Sequence, residues 1–113
     1  MKVSETNGYA TNAILQQAYK RRFKDHEVAG LKFRLRSLNA REIAAIQQKA
    51  KDDMAVNIYL IIAACVDGEG NPISGDADYE KWLDQDTEII ASLANACIRH
   101  TGISAFSEDS AKN

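Results

Sequence analysis

A chain of 113 residues with a net charge of −2 and ordinary apolar content fits one domain, long enough to bury a core without disulfides or metals. Its longest apolar run falls short of the roughly 20 residues that a membrane span needs, and its two cysteines have no C-x-x-C spacing, so Cys65 and Cys97 read as buried, reduced thiols. The net charge hides an asymmetry: residues 1–37 hold eight Lys or Arg against three acids, 8 − 3 = +5, which leaves −7 for the rest. A basic front and an acidic back can attract each other head to tail between copies, can mark surfaces for two partners, or can be a plain solvated surface.

Met1–Ala10 is polar, reads as a flexible N-terminus and lacks a basic-then-apolar signal peptide, which points to a cytoplasmic protein. Thr11 or Asn12 can cap a helix running to about Asp25. Ile14, Leu15, Ala18, Tyr19 and Phe23 fall near one face of it, and Lys20, Arg21, Arg22 and Lys24 lie in its last turns, where they complement the helix dipole. His26–Gly30 breaks this pattern. Leu31-Lys-Phe-Arg-Leu-Arg36 then alternates with period two, the mark of an extended strand. No second strand is evident. A lone strand leaves backbone groups unpaired, so Leu31–Arg36 either packs on helices or pairs with another molecule.

Asn39-Ala-Arg-Glu42 is a capping-box pattern opening a helix whose stripe is Ile43, Ile46, Ala50 and Met54. Asp52-Asp53 caps a new helix or marks a slight break. Met54–Val66 is apolar except for Asn57 and reads as the central core helix, with 89–98 and 43–50 as its neighbours. An exposed Asn57 beside Leu60 and Ile61 would give that helix a working face; a buried one would make it scaffold. Asp67-Gly-Glu-Gly-Asn-Pro72 is a turn. Asp76 and Asp78 open a short helix through Tyr79 and Trp82. Asp84 or Asp86 caps a last helix to about His100, striped by Ile89, Ile90, Leu93, Ala94, Cys97 and Ile98. Gly102 stands at its C-cap, and Ser104–Asn113 reads as a disordered tail. The expected fold is a mainly α single domain over residues 11–103, of four to five helices, with at most one short extended strand near 31–36.

The chemistry-bearing residues point away from catalysis. The Asp67-x-Glu69-x-Asn71 turn departs from a calcium loop where Gly is required, at Pro72, and where a bidentate Glu is required, at Asp78. Cys65, Cys97, His26 and His100 lack zinc-ligand spacing. Neither a nucleophile elbow nor a phosphate-cradling loop is present, and the pairs Asp76/Asp78 and Asp84/Asp86 are explained as helix caps. The sequence therefore predicts no enzyme, no metal and no cofactor. Lys20-Arg-Arg-Phe-Lys24 with Lys32, Arg34 and Arg36 can instead meet phosphates, with Phe23 stacking on a base. This makes a small helical nucleic-acid-binding regulator using the basic 20–36 region the alternative function. Overall acidity and the lack of a recognition-helix motif weigh against nucleic acid.

Residues 31–103 resemble the tail assembly chaperones of bacteriophages with long non-contractile tails. The resemblance lies in an ordered series: Leu31-Lys-Phe-Arg-Leu-Arg-Ser-Leu38, Asn39-Ala-Arg-Glu42, an Ala-rich apolar helix ending in Val66-Asp-Gly-Glu-Gly-Asn-Pro-Ile73, then Asp78-Tyr-Glu-Lys-Trp-Leu83, and an aliphatic helix to Thr101-Gly-Ile103. It implies a helical, non-enzymatic protein in the host cytoplasm that holds the tape-measure protein during tail-tube polymerisation, self-associates, meets the tail tube protein and is not retained in the mature virion. The family commonly makes a longer form by ribosomal frameshifting. Ala111-Lys112-Asn113 can be encoded by a slippery GCA AAA AAC, so a frameshifted partner form is an expectation too. The partner-binding residues expected on this reading are Lys20, Arg21, Arg22, Phe23, Lys24, Leu31, Phe33 and Leu35.

Overall fold

A computed structural model describes residues 8–18 and 20–101; the expectations for Met1–Asn7, the Tyr19 position, the Gly102 cap and the 104–113 tail lie outside the described residues. Element order is α1 (Asn12–Ala18), β1 (Phe23–Val28), β2 (Leu31–Arg36), α2 (Ala40–Lys49), α3 (Asp53–Ala64), β3 (Cys65–Val66), a 3₁₀ turn (Asp76–Asp78), α4 (Tyr79–Leu83) and α5 (Thr87–Thr101). The fold is mixed α+β. That corrects the mainly α expectation with its single strand: among the described residues three strands form one antiparallel sheet in the order β1-β2-β3.

The correction starts at residue 18. The first helix, capped by Thr11 through its Oγ1 and carbonyl, ends at Ala18 instead of running to Asp25. Phe23–Val28 is strand, paired residue for residue with β2 from Phe23↔Arg36 to Val28↔Leu31. The two strands join through Ala29 and Gly30 alone, with φ of 54° and 76°, the positive values of a type I′ hairpin turn. Gly30 takes such a value freely, whereas Ala29 holds it against its own Cβ. Ala29→Asn should therefore raise stability by about 0.5–1 kcal/mol, read as a higher midpoint in urea unfolding. β2 is the centre of the sheet: β3 covers its far edge at Arg34↔Val66 and Leu35↔Cys65.

Downstream, local signals and structure agree more closely. Asn39 accepts from the Glu42 N–H at 2.9 Å, and Glu42 Oε1 accepts from the Asn39 N–H at 2.9 Å, closing the capping box of α2. Asp52 caps α3 by accepting from the Ala55 N–H at 2.8 Å. α3 is buried on most sides, through Ala55, Ile58, Leu60, Ile61, Ile62 and Ala64, as an apolar central helix must be. It ends at Ala64, two residues before the apolar run does, because Cys65 and the β-branched Val66 turn extended and join the sheet. Leu60 and Ile61 are fully buried and Asn57 half-buried, so those residues form no working groove. α3 packs against α2, α4 and α5, and α5 also packs on β1 and β2.

The Asp67 turn is held by its own carboxylate. Asp67 Oδ1 accepts from the N–H groups of Glu69 at 2.8 Å and Asn71 at 3.0 Å, and the chain returns to bridge Val66 with Pro72. The Asn71, Glu69 and Gly70 N–H groups, with Arg34 nearby, hold its pKa below the ordinary value. Asp86, not Asp84, caps α5 by accepting from the Glu88 N–H at 2.8 Å. Cys65 and Cys97 are buried, free thiols; their mutual hydrogen bond and burial push the Cys97 thiol up, away from reactivity.

Candidate interaction surface

The hairpin sorts its side chains strictly by parity. Lys24, His26 and Val28 share the helix-facing side with Leu35, Phe33 and Leu31, while Phe23, Asp25 and Glu27 share the outer side with Arg36, Arg34 and Lys32. The eight expected contact residues are thereby divided. Leu35 is 1% exposed and lies in the core, closed to any partner. Phe33 is half-buried against that core. Leu31, on the same side but beside the turn, stays 52% exposed, and Phe23 is 43% exposed on the opposite side. Lys20 and Lys24 are exposed.

The arginines are structural. Arg21 makes a two-pronged pair with Glu42 at 2.9 and 2.7 Å and donates to the Ser37 carbonyl at 2.8 Å. Arg22 donates from its guanidinium to the His100 carbonyl at 3.0 Å, while His100 Nε2 lies 2.9 Å from the Arg22 carbonyl. The Arg22 N–H also donates to Ser37 Oγ at 2.9 Å. These contacts fasten the entry to β1 onto α2 and α5. Arg36 donates to the Ala63 carbonyl at 2.8 Å, and Arg34 lies over the Phe23 ring, 4.3 Å from its centroid, while donating to the Gly68 carbonyl. The Arg21 pair, stronger than its desolvation, holds the Glu42 carboxyl below its ordinary range.

Several openings remain among the described residues, and three of them bear on partner contact. A cleft of about 600 Å³ is lined by Phe23, Asp25, Lys32, Arg34, Val66 and Gly68, and by Phe33 of the other side. A largely apolar groove of about 320 Å³ runs along α2, lined by Leu38, Asn39, Ala40, Ile43, Ala44, Gln47 and Thr101. The third is the edge of β1, which among the described residues pairs only with β2. The Ser37 N–H donates to the Arg22 carbonyl at 2.8 Å, so even-numbered positions bond inward and the backbones of Phe23, Asp25 and Glu27 point out. A second β1 laid antiparallel there would set Asp25 against Asp25 or Glu27, so this edge rejects its own copy.

Sequence reasoning missed Asp25 and Glu27 as strand residues, hidden in a stretch that reads as helix end and break, and missed the α2 groove, which Ile43 lines while also packing against the core as its stripe predicts. Among the described residues no group of three or more His, Cys, Asp or Glu is placed to hold a metal ion, and no helix is long and apolar enough to cross a membrane. In comparisons with protein-family models, curated proteins and solved structures, nothing matches this chain.

Proposed function

We propose that this protein is a non-enzymatic tail assembly chaperone that holds the tape-measure protein of a long non-contractile-tailed phage in the host cytoplasm, self-associates while doing so, and is absent from the finished tail. The observation that carries this reading is the α2 groove: an apolar channel of about 320 Å³ beside Leu38, Ile43 and Ala44, of the kind that takes the apolar face of a helix. A tape measure exposes long apolar helical stretches that aggregate when bare, and many copies of a small grooved protein can cover them. The ordered resemblance of residues 31–103 supplies the partner. The tail tube protein and a frameshifted longer form are further partners on the same reading. Engagement of Arg21, Arg22, Arg34 and Arg36 within the chain weakens the nucleic-acid alternative, because guanidinium groups already bonded to carbonyls, Glu42 or an aromatic ring are poorly placed to track phosphates.

Co-expression with the neighbouring tape-measure protein should keep that protein soluble, and Ala44→Glu, at an exposed groove position, should return it to the pellet without unfolding the chaperone. Tape-measure solubility that is indifferent to this protein sinks the proposal. A steeply salt-dependent gel shift with DNA or RNA would favour the regulator instead.

A further inference from the structure

We infer that the open edge of β1 is a docking site for an extended segment of a different protein, added to the sheet as a further strand and carrying Lys or Arg at every second residue. The site shares no residue with the α2 groove, and the inference does not depend on the chaperone reading.

The backbone of β1 is open to pairing on its free side. The strand runs for six residues without proline or bulge, in register with β2 at every position. Edge strands are ordinarily blunted by such interruptions, because a straight row of open N–H and C=O groups invites another strand. Lys24, His26 and Val28 direct their backbone groups to Leu35, Phe33 and Leu31, in phase with the Ser37–Arg22 bond. Phe23, Asp25 and Glu27 thus hold three N–H and three C=O groups outward, with successive residues about 7 Å apart, the two-residue repeat of a strand.

The side chains select which strand fits. On its paired side β1 sets Asp25 opposite Arg34 and Glu27 opposite Lys32. The same two acids flank the open edge, where opposite charges across the strands stabilise and like charges repel. Their own cations leave them available. Arg34 is engaged by the Phe23 ring and the Gly68 carbonyl. Lys32 meets Asp25 at 3.5 Å with both side chains more than half exposed, a weak contact. Glu27 makes no ion pair among the described residues. The other row of β1 differs: Lys24 is exposed and shares a small pocket with Arg99. The fitting strand is therefore basic on one side and neutral or acidic on the other, and a uniformly basic segment fits poorly.

A second copy does not supply that strand. Its β1 would bring acid against acid, and its β2 has both edges taken, by β1 and β3. β3 is only two residues long, and Val66 is bridged to Pro72. The occupant is a foreign chain bound by strand addition, in which backbone bonds hold it and alternate side chains select it.

Hydrogen exchange on the full chain tests this, with a short end-capped peptide of alternating Lys and Thr as the probe. At saturation it should slow exchange at the N–H groups of Phe23, Asp25 and Glu27 by about tenfold or more, and leave Lys24, His26 and Val28 unchanged. A peptide of the same composition with its lysines in one block should protect none of them. Asp25→Pro removes an outward N–H while leaving the bonds to β2, so it should abolish binding with an unchanged far-UV circular dichroism spectrum. Asp25→Lys with Glu27→Lys keeps every backbone group and should switch the preference to a peptide of alternating Glu and Thr. Absence of protection at those three amides, equal protection by the block peptide, or a charge-reversed variant that keeps the original preference overturns the proposal. Protection of the same amides without peptide also overturns it: at all protein concentrations it places this chain's own segment on the edge, and if it grows with concentration it places a second copy there.

Discussion

Leu93→Ala is expected to remove about 3–5 kcal/mol of stability, the largest loss of any single truncation proposed for this chain. Leu93 is fully buried in the cluster that α5 shares with Leu60 and Ile61 of α3, Leu35 of β2 and Cys65 of β3. Its removal strips transfer free energy and leaves a hole that three elements border, so no one of them can close it by moving alone. A domain of this size holds a total of about 5–15 kcal/mol, so the variant should unfold at a much lower urea concentration with little change in slope. A loss below about 1.5 kcal/mol would show that the α5 seam can collapse onto the gap.

Glu42→Ala should cost about 2–3 kcal/mol although Glu42 is a surface-edge residue with a quarter of its side chain exposed. It closes the capping box of α2, grips Arg21 in two prongs and lies 4.0 Å from Arg36. Asn39→Ala removes only the cap and should cost about 1 kcal/mol. The same carboxyl makes stability depend on pH. Its folded pKa lies below the ordinary 4.5, so its contribution is fully present above 4.5 and is lost as pH falls through the folded value. Asp67, also held low, acts in the same sense. Melting temperature should therefore fall between pH 7 and pH 3, and fall less in Glu42→Gln. Equal falls would place the acid sensitivity elsewhere.

The α2 cap and the buried α3 and α5 stripes were legible in the sequence because each is a local pattern: a four-residue box, an apolar run, a helical stripe. β1 was not. Its two faces read Lys24, His26, Val28 and Phe23, Asp25, Glu27, so neither shows a hydrophobic period of two. Phe23 also falls at helical spacing from Tyr19, which lengthened the apparent first helix. The usable signal was Ala29-Gly30, two residues between Val28 and the alternating β2, a hairpin-length gap. The contact surface was legible only in part. Alternation shows that Leu31, Phe33 and Leu35 share a side, but which of them is covered depends on where α5 begins. The arginines were harder still. A cation bound for phosphate and one bound for Glu42, 21 residues away in the chain, look the same in sequence.

Arg21 and Arg22 also anchor the start of the hairpin to two helices. Among the described residues, the side-chain bonds that fasten β1 to α2 and α5 start at Arg21, while α1 contributes no buried side chain. A protease cutting after Lys20 would remove α1 and leave the Arg21–Glu42 and Arg22–His100 contacts in the remaining chain. The anchoring of the sheet to its helices is thus carried by residues from Arg21 onward, and removal of α1 at that point should leave the hairpin fastened to α2 and α5.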